Sequence, residues 1–125
     1  MKKISLLAAA LTLVLAPAAF AQGHGHGGKG PNGGPMQDVV GIEAELIVTG
    51  QKLTVYLYAE DGKPVPATGY TGSVLAGAGQ ARQIVPLTTA TENTLTGAAG
   101  AVIPQGTQIT LQLKNPAGKS GQAKF

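Results

Sequence analysis

The sequence predicts an all-β protein: an immunoglobulin-like antiparallel β-sandwich of about seven strands, preceded by a flexible Gly/His-rich tail. Three observations predict it. Apolar and polar residues alternate at period two in short runs. The runs recur about every 8–12 residues with turn-forming residues between them. No stretch after residue 21 sets apolar residues at helical spacing between caps.

The elements follow in order. Ile42, Ala44, Leu46 and Val48 alternate with Glu43, Glu45 and Ile47. Thr49-Gly50-Gln51-Lys52 makes a turn, and Leu53, Val55, Leu57 and Ala59 then alternate with Thr54, Tyr56 and Tyr58, so the two runs form a hairpin. Asp61-Gly62-Lys63-Pro64 ends the second run. Further strands are expected at Thr71–Ala76, Arg82–Thr88, Thr94–Gly97, Thr107–Lys114 and Gly121–Phe125, the last hairpin closed by Asn115-Pro116-Ala117-Gly118. The alternation is clean at Ile109, Leu111 and Leu113 and weaker at Gly72, Ser73 and Ala76. Pro64, Pro66, Pro86 and Pro104 would blunt strand edges. An open barrel is the alternative arrangement of the same strands.

The first 21 residues, MKKISLLAAALTLVLAPAAFA, read as an address and not as fold. Lys2 and Lys3 form a basic start, an apolar run from Ile4 to Leu15 follows, and Ala19-Phe20-Ala21 is a small-residue cleavage site. The run is shorter than the ~20 residues that span a bilayer, so no stable membrane anchor is expected after cleavage. The chain then divides into a signal peptide at 1–21, a tail at 22–35 and a β-domain at 36–125, with the periplasm as destination.

Composition excludes several function classes. Loss of Lys2 and Lys3 lowers the formal charge from +3 to +1, which removes the electrostatic case for a nucleic-acid partner. The chain has no Cys, so it has no disulfide, no thiolate metal site and no cysteine nucleophile. After residue 21 its serines are Ser73 and Ser120 and its histidines His24 and His26, both in the tail, where no third group would hold a catalytic base. Gly23 to Gly28 matches G-x-G-x-x-G, and Gly23 to Lys29 approaches a phosphate loop, but no helix follows and Gly30 stands where Ser or Thr is required. No enzyme is expected, and the domain reads as a monomer.

The tail carries the one chemical signal. Residues 22–35, QGHGHGGKGPNGGP, contain seven glycines, two prolines and no apolar side chain, the composition of a segment that orders itself poorly. Cleavage after Ala21 exposes Gln22-Gly23-His24. A free amine, two deprotonated amides and an imidazole in third place supply four nitrogens in one plane, the geometry that suits Cu(II) or Ni(II). His26 could add a further donor, and Glu43 and Glu45 are secondary oxygen donors or merely solvated charges on an outer strand face. Copper is the favoured metal, with nickel or zinc behind it. Two readings of the tail stay open, a metal site and a soluble Gly/His spacer.

Residues 31–125 also resemble a family of small proteobacterial periplasmic domains that occur alone or near the N-terminus of the periplasmic adaptor subunits of heavy-metal efflux pumps. The resemblance is carried by Pro31-Asn32-Gly33-Gly34, Glu45-Leu46-Ile47-Val48, Leu53 to Tyr58 with Asp61-Gly62-Lys63-Pro64-Val65, then Val85-Pro86-Leu87-Thr88, Leu95-Thr96-Gly97, Pro104-Gln105-Gly106 and Gly121 to Phe125. It implies a β-sandwich, metal handling, and a metal-efflux or metal-transfer partner. Family members often carry histidines where this chain has Asn32 and Glu43. The expected function is therefore non-catalytic binding of a divalent transition metal. The alternative is a protein-interaction module that offers exposed strand edges to a partner sheet, with no metal role.

Overall fold

The computed structural model describes residues 28–125. Eight strands run through it: β1 (Met36–Val39), β2 (Ile42–Thr49), β3 (Lys52–Tyr58), β4 (Thr71–Ala76), β5 (Gln83–Thr89), β6 (Thr94–Ala98), β7 (Ile109–Lys114) and β8 (Ser120–Lys124). Every pairing is antiparallel, in the order β1-β2-β3-β6-β5-β4-β7-β8. The two end strands, β1 and β8, come against each other without bonding, so the sheet is nearly closed. Among the described residues the only helical piece is a 3-10 turn at Gly79–Ala81.

The expected strand at 71–76 is present with the same bounds, and those at 42–48, 53–59, 82–88, 94–97, 107–114 and 121–125 are present with one or both ends shifted by one or two residues. The count is eight and not seven, because Met36–Val39 pairs with β2, Met36 opposite Glu45 and Val39 opposite Ile42. Its sequence, Met-Gln-Asp-Val, has no period-two pattern because only Val39 is turned fully into the core.

The core is built from the inward rows. Leu46, Val55 and Leu95 lie across β2, β3 and β6, and Val74, Val85 and Leu111 across β4, β5 and β7, all buried. Antiparallel partners point to the same face, so each row buries as a unit. Strand β5 joins the two halves of the sheet. Its residues 83–87 pair with β4, and Thr88 and Thr89 pair with Thr96 and Leu95 of β6. Pro86 is tolerated within it, opposite Ser73.

The β1–β2 turn is Val40-Gly41, both at positive φ, 47° and 79°. Glycine suits that region and a β-branched residue does not. Val40 is held there by packing on the core cluster, with Gly121 of β8 beside it. Val40→Asn relieves the backbone and gives up part of that contact. The expected net effect is a gain of about 0.5–1 kcal/mol in unfolding free energy, read by urea denaturation.

Candidate functional site

Glu45 lies in the middle of β2, between Ala44 and Leu46 of the core, on the face opposite theirs. The sequence reads it as a secondary oxygen donor or a solvated charge on an outer strand face, and the structure corrects the second of these: Glu45 is 0 % exposed. What covers it is the segment from Gly28 to Pro35, which folds over β2 as a tight strap. Lys29 bridges Pro35, Gly30 N–H donates to the Gly34 carbonyl at 2.7 Å, Gly33 N–H to the Gly30 carbonyl at 2.9 Å, and Met36 N–H to the Gly28 carbonyl at 2.9 Å. The ordered fold therefore begins no later than Gly28, inside the stretch expected to be tail.

The strap is clasped to one carboxylate. Asn32 N–H donates to Glu45 Oε1 at 2.8 Å, Gly34 N–H to the same oxygen at 2.9 Å, and Asn32 Nδ2 to Oε2 at 3.0 Å. Asn32 Nδ2 also donates to the Tyr58 hydroxyl at 3.0 Å. The glycines make this close fit possible. A Cβ on Gly30 would sit 2.5 and 2.7 Å from the two Glu45 oxygens, and one on Gly34 would run into the Leu46 carbonyl oxygen. Among the described residues no Lys or Arg pairs with Glu45; the ion pair present, Lys63 with Asp61 at 3.8 Å, is exposed and contributes little. N–H donors alone supply the compensation that a buried carboxylate requires. No buried side-chain polar atom among the described residues lacks a partner.

Tyr58 is 7 % exposed, opposite Glu43 in the β2–β3 register. Burial, and next the negative charge of Glu45, push its hydroxyl above the ordinary tyrosine range. The folded state thus keeps a proton that the unfolded state releases first. Stability is complete below the ordinary tyrosine range and falls as pH rises through the Tyr58 value. The phenolate absorbance of Tyr58 should appear at higher pH than that of free tyrosine, and Tyr58→Phe should remove this alkaline loss.

Glu43, half-buried, faces Asp38 of β1 on one side and Tyr58 on the other, so two carboxylates stand directly opposite each other on neighbouring strands. Gln22, Gly23, His24 and His26 lie outside the described residues. Of the expected metal candidates, the structure brings Glu43 and Glu45 to one face of β2 but commits the Glu45 oxygens to the strap. No group of three His, Asp or Glu side chains gathers among the described residues. Asn32 and Tyr58 belong to this site and were not singled out from the sequence as site residues. Their signal was the pairing of an Asn with glycines at 30 and 34, in a stretch with no other reason to lie flat on a sheet.

A cavity of about 690 Å³ lies between β2 and the segment 103–109, walled by Pro35, Leu46, Val48, Ile103, Ile109 and Phe125. No protein-family model matches the chain, and no curated protein or solved structure shows significant similarity to it.

Proposed function

We propose that the chain is an exported, non-catalytic periplasmic protein that binds a divalent transition metal, copper first, through Gln22, Gly23 and His24, on an immunoglobulin-like sandwich. Its biological setting would be metal handling or efflux. The observation that carries this reading is the clasp. Glu45 holds the strap from Gly30 to Gly34, and Gly28 is tied to Met36. The chelating residues therefore join a fixed point on the sheet four residues after His24. A planar four-nitrogen site needs only its own three residues.

The strand order supports the fold half of the reading. From β2 onward the neighbours run β2-β3-β6-β5 and β4-β7-β8. This order parallels the A-B-E-D and C-F-G grouping of an immunoglobulin-type sandwich, while β5 pairs with β4 at residues 83–87 and with β6 at Thr88 and Thr89 within one eight-stranded sheet. The end strands β1 and β8 do not bond each other, which favours a second reading, an interaction module that adds a partner strand to a sheet edge.

The test is a Cu(II) titration of the mature chain followed by visible absorption. The expected result is a single planar-site band that saturates at one equivalent. His24→Ala should lose that band and weaken binding by about a hundredfold or more, since the chelate closes through this imidazole. Glu43→Gln should leave the band unchanged. Absence of binding above a competing buffer, with one dominant partner recovered from periplasmic extract, would favour the interaction module.

A further inference from the structure

The clasp closes on the one asparagine of the chain that a glycine follows. Asn93 precedes Thr94 and Asn115 precedes Pro116, whereas Asn32 precedes Gly33. The difference is chemical. An asparagine loses ammonia when the next backbone nitrogen attacks its side-chain carbonyl carbon, and glycine, with no Cβ, obstructs that approach least. Proline has no N–H to release, and a β-branched threonine crowds the path. Asn93 is also buried, with its Nδ2 donating to the Leu57 carbonyl at 3.0 Å.

In the closed strap both reacting groups of the Asn32-Gly33 pair are engaged. Gly30 to Gly33 is a β-turn with Pro31 and Asn32 at its centre, closed by Gly33 N–H donating to the Gly30 carbonyl at 2.9 Å. The attacking nitrogen is thus held with its proton in that bond. The leaving nitrogen, Asn32 Nδ2, donates to Glu45 Oε2 and to the Tyr58 hydroxyl, both at 3.0 Å, which draws the side chain to the sheet. Asn32 as a whole residue is exposed, so water reaches it.

We infer that Asn32 is a deamidation site, that the Glu45 clasp keeps it unreacted, and that its modification releases the strap for good. When the strap lifts, Gly33 N bonds to Asn32 Cγ and the Cγ–Nδ2 bond breaks. The Gly33 proton leaves with Nδ2 as ammonia, and a cyclic imide remains. Water then opens the imide at either carbonyl, leaving aspartate or an isoaspartate with a longer backbone. Either product sets a carboxylate where two N–H donors stood, against the Glu45 oxygens. Two carboxylates in one dry place repel, and among the described residues no cation pairs with Glu45 to offset them. The copper reading plays no part in this.

The test incubates the intact chain at mildly alkaline pH and follows each asparagine by peptide mass mapping, where deamidation adds about 1 Da. Asn32 should react about tenfold or more slower than the same sequence in a free peptide spanning residues 29–36. Glu45→Ala should bring the rate to within about threefold of the peptide, and Glu45→Gln, which weakens the strap less, should fall between. Asn93 and Asn115 should stay unmodified throughout. Gly33→Ala added to Glu45→Ala should slow the reaction again by about tenfold or more, as the imide route requires. Asn32→Asp, made directly, should show fast amide exchange at Gly33 and Gly34 while β4 and β7 stay protected. Asn32 reacting as fast as the free peptide, a rate indifferent to both Glu45 variants, or an Asn32→Asp strap as protected as the parent's would each overturn the inference.

Discussion

Glu45→Ala should lower the unfolding free energy by about 2–3 kcal/mol, a drop of roughly 10–20 °C in Tm for a domain of this size. One carboxylate accepts from Asn32 N–H, Gly34 N–H and Asn32 Nδ2, and all three bonds disappear together. Hydrogen bonds to a charged acceptor contribute more than neutral ones, and donors left in a dry place cost their desolvation. The strap limits the loss by lifting into water, so the effect stays below that of a broken ion pair in a core. Glu45→Gln should cost less, about 1 kcal/mol. Its carbonyl oxygen still serves the two backbone donors, but its amide meets the Asn32 amide donor to donor. In both variants amide exchange should rise first at Gly30, Gly33 and Gly34, while β4 and β7 stay protected. Equal loosening across the whole sheet would show that Glu45 supports the core in general and not the strap.

Gly34→Ala should be as damaging, at about 2–4 kcal/mol by denaturant unfolding. The added methyl meets the backbone carbonyl of Leu46, which is fixed in β2 between β1 and β3 and cannot turn aside. Relief requires the strap and the start of β1 to part from β2. Gly33→Ala is the matched control. It has open space around it but a φ of +85°, so it should cost only about 1 kcal/mol of backbone strain. Gly30→Ala probes the clasp itself, because its methyl would press on the carboxylate. In a Glu45→Ala background that methyl has room. The two substitutions should therefore be strongly non-additive, with the Gly30 effect largely gone in the double variant.

These residues mark where the sequence was readable and where it was not. Ile109, Leu111 and Leu113 announce β7 because their other faces are polar Thr110, Gln112 and Lys114, and the core needs one face only. The turns at Gly50, Gly62 and Gly118 were equally plain, each a glycine at positive φ between alternating runs. β1 was hidden because four residues with one core contact carry no period. Glu45 misled for a different reason. Its alternation correctly put it on the outer face of β2, but that face is dry there because a segment without a single apolar side chain lies across it. Polarity scales read residues 28–35 as spacer. The physical content was instead steric and in hydrogen bonds, with glycine where the backbone touches β2 and Asn32 where a carboxylate needs donors. Strand order was unreadable for a related reason: β5 changes partner from β4 to β6 at Thr88, and no residue there differs in kind from its neighbours.

The functional account stands on His24 being third from an unblocked amine and joined, through Gly28, to a clasped strap. Intact-mass analysis of the exported protein, combined with a Cu(II) titration of that same sample, tests this most directly. The account predicts a mass for a chain that starts at Gln22 with a free amine and one equivalent of copper in a planar four-nitrogen site. A chain that starts elsewhere, or a pyroglutamate at position 22, together with an unchanged copper band would contradict it.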